Sequence, residues 1–192
     1  MTMHERLPEL GKEFARNGAS CHMMRSAELS LGKLADMIYT RGYCQVAIED
    51  GLSVDGIPVL DVLRSEVVNC TFHSASRLDE PEKWHGIELG ITSCQAIWAD
   101  TATIVLPIRQ ASESWVSLLA PHHVVLAEQT QVFGDFRDWS RVHPLGLPDS
   151  MVTIQGPSRT ADIEKKLVYG VHGPFEVTVY LSVEQPGNRI GG

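Results

Sequence analysis

Residues 151–183 carry the pattern that most restricts what this chain can fold into. Met151, Val152, Thr153 and Ile154 make a short run of strand length, broken by Gly156 and Pro157. Within residues 161–169 and just beyond, Ile163, Leu167 and Val171 recur every four residues. That is the spacing of a helix face, and Gly170 and Gly173 follow as stops. Phe175, Val177, Val179, Leu181 and Val183 then alternate with Glu176, Thr178, Tyr180 and Ser182. Period-two alternation predicts a strand with one buried and one wet face, near the edge of a sheet. Strand, glycine loop, helix and strand within about thirty residues read as a βαβ unit, whose crossover is right-handed.

The upstream sequence continues in the same style. Leu7, Leu10 and Phe14 predict a helix over 5–16, closed by Asn17 and Gly18. A short strand is expected at 20–24. Ser26 is then placed to cap a helix whose inner face carries Ala27, Leu31, Leu34 and Ile38. Strands are expected at 44–48, 66–70 and 123–127, a short helix from Pro58 and a longer one over 79–89. Two apolar runs, 95–99 and 103–108, flank Asp100, Thr101 and Ala102 and predict a hairpin. Residues 133–149 read as an irregular loop. The fold class expected is α/β, a mostly parallel sheet flanked by helices. No repeat or linker divides residues 1–184, so one domain is expected, followed by a disordered tail over 185–192.

Bulk properties narrow the partners. A formal net charge of −8 repels nucleic-acid backbones and anionic lipid, so neither partner is expected. No apolar run approaches the ~18 residues of a membrane helix. The opening residues Met1 to Arg6 lack a signal-peptide layout, so a cytoplasmic setting is expected. The four cysteines, Cys21, Cys44, Cys70 and Cys94, lie more than twenty residues apart and form no CxxC pair. That spacing matches no zinc ribbon, thioredoxin motif or iron–sulfur run, and buried reduced thiols are the plain expectation.

If the run at 151–154 is a parallel strand, the loop after it sits at the carboxyl edge of the sheet, where open α/β folds bind ligands. Gly156 and its neighbours would present free N–H groups at a helix N-terminus. Ser158 and Thr160 add hydroxyls, Arg159 a fork for a carboxylate or phosphate, and Asp162 a carboxylate. The same residues serve equally well as helix caps, a dipole partner and a solvated arginine; spacing alone leaves both readings open. A second wall is expected from Asp100, Thr101 and Thr103, with Thr92 and His122 on nearby loops. His122 and His123 point to opposite faces of a strand and belong to no HxH or HExxH pattern, so no metal site is expected. Fingerprints of dinucleotide, P-loop and serine-hydrolase sites are absent, and the catalytic residues stay unassigned. No function is attached to Trp84, Trp98, Trp115 or Trp139.

The segment Gly156-Pro157-Ser158-Arg159-Thr160-Ala161-Asp162-Ile163-Glu164, followed by Leu167-Val168-Tyr169-Gly170-Val171-His172-Gly173-Pro174, resembles the signature of the LUD-domain lactate-utilisation C proteins. Gly90-Ile91-Thr92, Ala99-Asp100-Thr101-Ala102-Thr103 and Ser117-Leu118-Leu119-Ala120-Pro121-His122 resemble further segments of that family, in the same order. Two positions depart from it: Asp100 stands where Glu is usual, and Ala102 where Gly is usual.

The resemblance implies a fold similar to the ribose-phosphate isomerase, glucosamine-phosphate deaminase and CoA-transferase superfamily. It also implies a part in oxidising L-lactate to pyruvate within an oxidoreductase complex. Partner proteins would carry the iron–sulfur clusters, with no cofactor on this chain. The alternatives are a stand-alone enzyme or a ligand-binding protein for a sugar phosphate or CoA-type ligand. A homo-oligomer is compatible with each.

Overall fold

The structure is a computed structural model that describes residues 3–108, 111–142, 148, 150–161, 167–169 and 173–183. In chain order the elements are α1 (Met3–Arg16), β1 (Ser20–Met24), α2 (Ala27–Arg41), β2 (Gln45–Ile48), β3 (Ser53–Val54), β4 (Ile57–Pro58), α3 (Val59–Glu66) and β5 (Thr71–Ser74). There follow β6 (Leu89–Thr92), β7 (Ala96–Trp98), β8 (Thr103–Pro107), α4 (Ala111–Leu118), β9 (His122–Glu128), β10 (Val132–Phe133) and α5 (Phe136–Val142). The last elements are β11 (Met151–Ile154), β12 (Arg159–Ala161), β13 (Leu167–Tyr169) and β14 (Glu176–Ser182).

Among the described residues, six strands form a parallel sheet in the order β1-β14-β9-β6-β2-β5. The expected α/β class with a mostly parallel sheet is therefore observed. Alternating side chains divide the core between its two faces. Val46, Ile48, Leu89, Ile91, Val124 and Leu126 pack against Leu31, Leu34 and Ile38 of α2 and Val59 and Leu63 of α3. Val125, Ala127, Val177, Val179 and Leu181 face the other way, onto Leu7, Leu10 and Phe14 of α1 and the inner side of a second sheet. Each such large apolar side chain contributes about 1.5–3 kcal/mol on burial. α4 covers the rest of this second face. There a Cβ on Gly90 would come within 2.1 Å of the Val116 carbonyl oxygen, so only glycine lets the helix lie this close.

The second sheet has the order β10-β7-β8-β11, with β7–β8 the expected hairpin and β11 antiparallel to β8. Ile97, Ile104, Leu106 and Ile154 point into the core. Ala96, Val105, Trp98 and Met151 point outward, where Trp139 of α5 covers them.

Several local expectations hold. Ser26 accepts from the Leu29 N–H, and α2 buries the predicted Ala27, Leu31, Leu34 and Ile38. Others are corrected. The 79–89 helix is replaced by a 3-10 turn at Pro81–Trp84 and then strand β6, because Gly86 takes a positive φ through which a right-handed helix cannot continue. The strand expected at 66–70 starts later, at Thr71, since Glu66 still belongs to α3. Residues 133–149 contain α5, capped by Asp135, whose carboxylate accepts from the Asp138 N–H at 2.9 Å. β14 is not an edge strand; it lies between β1 and β9 with both faces covered. The helix expected over 161–169 is replaced at both ends by strand, because Arg159–Ala161 pairs antiparallel with Leu167–Tyr169. With β11 in the second sheet, the expected βαβ unit does not form. Asp162, Glu164, His172 and the tail lie outside the described residues. Cysteine burial also differs from expectation: Cys94 is buried, but Cys21 and Cys70 are intermediate and Cys44 is exposed.

Candidate functional site

The hairpin β7–β8 turns through Asp100, Thr101 and Ala102, and Ala102 takes the left-handed φ of 48°. A methyl group at this left-handed position stores strain. The turn is held by the Ala99 and Asp100 N–H groups, which donate to the Phe133 and Gly134 carbonyls at 2.8 and 3.0 Å. It therefore stands opposite the start of α5.

Between turn and helix lies a cleft of about 530 Å³. Its floor is the outer face of the second sheet: Trp98 and Thr103, which pair across the hairpin, with Thr153 beside them on β11. Asp100 and Thr101 form one wall, Asp135 and Phe136 the other, and Gln155 closes the end. Phe136 stands edge-on to Trp98 with ring centroids 5.5 Å apart. The Thr101 and Thr103 hydroxyls are 2.7 Å apart, and the Gln155 amide donates to the Thr103 hydroxyl at 3.0 Å. The described lining thus offers carboxylates, hydroxyls, an amide and two aromatic rings. Two carboxylates favour hydrogen-bond donors, so this lining suits the hydroxyl end of a ligand better than an anionic end.

The glycine loop meets this cleft by a route the sequence did not predict. A Cβ on Gly156 would come within 2.3 Å of the Asn17 carbonyl oxygen, while the Asn17 amide donates to the Thr101 carbonyl at 3.0 Å. Asn17 precedes β1, and the Ser158 N–H donates to the Pro174 carbonyl at 2.9 Å, just ahead of β14. The loop accordingly packs at the amino edge of the parallel sheet, not the carboxyl edge. No helix begins at Arg159–Ala161, and the Ser158 N–H is already engaged, so the expected helix-terminus anion hole is corrected. The reading of Ser158 or Thr160 as a helix cap falls for the same reason. Arg159 and Thr160 lie on β12, backbone-paired with Tyr169 and Val168.

Thus Asp100, Thr101 and Thr103 come together and Gly156 packs against Asn17 beside them, while Ser158 lies against Gly173 and Pro174. Thr92 and His122 do not join the cleft lining. Thr92 is buried at the end of β6, its hydroxyl 2.9 Å from His123 Nε2. His122 opens β9 on the α2 side of the sheet, with Nδ1 3.0 Å from the Tyr43 hydroxyl and Nε2 3.0 Å from that of Thr178. Glu176 Oε1 lies 3.8 Å from His122 Nε2, and the same carboxylate holds Arg41 through two bonds of 2.6 and 2.7 Å. Burial pushes the His122 pKa down to about 4, against the opposing pull of Glu176. Burial also drives that of His123 down to about 3. The adjacent histidines point to opposite faces, as expected of a strand.

Trp98, Asp135, Phe136, Thr153 and Gln155 are the lining residues that sequence reasoning missed. A signal for two of them existed: Asp135 followed three residues later by Asp138 marks a helix start. Among the described residues, no group of three or more His, Cys, Asp or Glu could hold a metal ion. Nor, among them, is any helix long and apolar enough to cross a membrane.

Comparison with known proteins places this architecture. Residues 7–182 match the LUD domain, and the chain belongs to that family. A crystal structure of a DUF162 family protein from Deinococcus radiodurans superposes with a TM-score of 0.68, covering 95% of this chain and 99% of that one. At 16% identity, that likeness speaks for the fold alone. In sequence, the chain is 35% identical over 101 residues to a lactate utilization protein C of Exiguobacterium, covering 49% of this chain and 44% of the relative. It is 32% identical over 109 residues to that of Halalkalibacterium halodurans, covering 54% and 47%. An uncharacterised protein of Neisseria meningitidis serogroup B is 31% identical over 101 residues, covering 51% and 43%. Each match spans less than half of the relative's own length.

Proposed function

We propose that this protein is a subunit of an iron–sulfur-dependent system that oxidises L-lactate to pyruvate, and that its own share is to hold the small organic acid. Oxidation of lactate releases two electrons and two protons. The proposal assigns the electron carriers to cluster-bearing partner proteins and none to this chain, whose cysteine spacing contains no cluster-binding run. Support comes from membership of the LUD domain family and from relatives named for lactate utilization.

The observation that carries the site is the junction at Asn17, which packs the Gly156 loop against the Asp100–Thr103 turn. An α-hydroxy acid has two ends of different chemistry. Its hydroxyl would go to Asp100, Thr101 and Thr103, and its carboxylate to the loop carrying Ser158, Arg159 and Thr160. Reconstitution with the cluster proteins tests this reading. Lactate-dependent bleaching of the cluster absorbance is expected with the intact chain, and its loss with Arg159→Ala. Bleaching that proceeds equally well without this chain would refute it.

One observation favours a second reading. The cleft, at about 530 Å³, is larger than a three-carbon acid fills. A stand-alone enzyme or binding protein for a sugar phosphate or CoA-type ligand would use that room. Tight phosphate-ester binding by the isolated chain would favour it over the first.

A further inference from the structure

Cys44 and Cys70 occupy matching positions at the amino ends of two paired strands. β2 and β5 run parallel with Gln45 opposite Thr71 and Val46 opposite Phe72. The Thr71 N–H bonds the Cys44 carbonyl at 2.8 Å, so Cys44 is held against the start of β5, directly after Cys70. One step back sets Cys44 beside Cys70. Side chains alternate along a strand. Both cysteines therefore share the face of Val46 and Phe72, and Cys70 packs at the margin of that core. Neighbouring strands lie about 4.8 Å apart, inside the range of roughly 4.4–6.8 Å between Cα atoms that a disulfide spans. Cys44 is exposed and Cys70 intermediate, so a small oxidant reaches the pair. The other two cysteines are placed differently. Cys94 is buried, and Cys21 lies on β1, separated from β2 by three strands of the sheet.

We propose that Cys44 and Cys70 are a redox modification site that closes into a reversible disulfide under a peroxide. The exposed Cys44 sulfur attacks a peroxide oxygen as the thiolate; the O–O bond breaks, hydroxide leaves, and a sulfenic acid forms on Cys44. The Cys70 sulfur then attacks the Cys44 sulfur, the S–O bond breaks and water departs. Two thiols give up two electrons and two protons, and the peroxide becomes two waters. A dithiol reductant reverses the bond by exchange. Burial and the neighbouring Cys44 and Glu88 push the Cys70 thiol up to about 11, which fits Cys70 as the second sulfur to react, not the first. The bond would enclose residues 44–70 and tie the edge strand β5 to β2, restraining the open edge of the main sheet.

The test is oxidation of the full chain with limiting hydrogen peroxide, followed by intact mass and peptide mapping before and after reduction. The expected product has lost two hydrogens, carries a Cys44–Cys70 linked peptide pair, and keeps Cys21 and Cys94 as free thiols. Cys44→Ser and Cys70→Ser should each abolish the crosslink, while Cys21→Ser and Cys94→Ser leave it unchanged. Mapping of the unmutated chain decides the matter even where a variant folds poorly. Absence of an internal crosslink, over-oxidation of Cys44 without pairing, or a bond involving Cys21 or Cys94 would overturn the proposal.

Discussion

Gly156 lies directly against Asn17: a Cβ on the glycine would meet the Asn17 carbonyl oxygen at 2.3 Å. The far side of the same asparagine holds the Thr101 carbonyl through its amide. One residue in the link between α1 and β1 thereby couples the glycine loop to the hairpin turn of the cleft. Gly156→Ala should force these segments apart and cost on the order of 3 kcal/mol, because a backbone atom cannot yield as a side chain can. Gly32→Ala is the control. Gly32 sits within α2 with nothing within 4 Å of an added Cβ. Alanine there should stabilise the protein by about 0.5–1 kcal/mol. Urea denaturation of the two variants checks both signs.

Ala102 combines a positive φ with full burial. Ala102→Gly relieves about 1 kcal/mol of backbone strain and gives up about 0.8 kcal/mol of methyl burial. The expected net change is therefore close to zero. Ala102→Val meets both penalties, a branched side chain at positive φ and overpacking of a filled site, and should lose on the order of 3 kcal/mol. Thermal melts of the pair distinguish this account from one in which the turn tolerates any small residue.

The buried histidines fix a pH dependence. His123 is fully buried, and its pKa falls from the ordinary value of 6.5 to about 3 in the folded chain. Between those values the unfolded chain holds a proton that the native chain does not. Stability is therefore complete above pH 6.5 and falls as the pH drops towards 3, by about 1.4 kcal/mol for each pH unit. His122, pushed to about 4, adds a loss of the same sign over its own range. Denaturant midpoints from pH 7 to 4 should show this slope, and His123→Gln should flatten it.

Legibility from sequence varied with what each element depended on. α2 could be read because its cap and apolar face are both local, and Ser26 and Leu31 do what their types predict. β14 was misplaced to an edge because Thr178 and Ser182 look like solvent-facing residues. Both are buried, Thr178 against the His122 ring and Ser182 against Ser30, partners distant in sequence. The helix expected over 161–169 had the right period in Ile163, Leu167 and Val171. Pairing of β12 with β13 overrode it, as strand partners do when β-favouring residues such as Val168 and Tyr169 are available. At the site, the turn residues Asp100, Thr101 and Thr103 were visible beforehand. Trp98, Thr153 and Phe136 were not, because only the antiparallel register of the second sheet and the position of α5 bring them to one face.

In the proposed function the cleft and the Gly156 loop together hold a small hydroxy acid. Calorimetric titration of the purified chain with L-lactate, pyruvate, phosphate and CoA tests it most directly, with Arg159→Ala and Thr103→Val beside the unmutated protein. Saturable binding of L-lactate that both substitutions abolish is expected, since one removes the carboxylate partner and the other a hydroxyl partner. Binding of phosphate or CoA alone, lactate binding indifferent to both substitutions, or no heat from any of the four would contradict it.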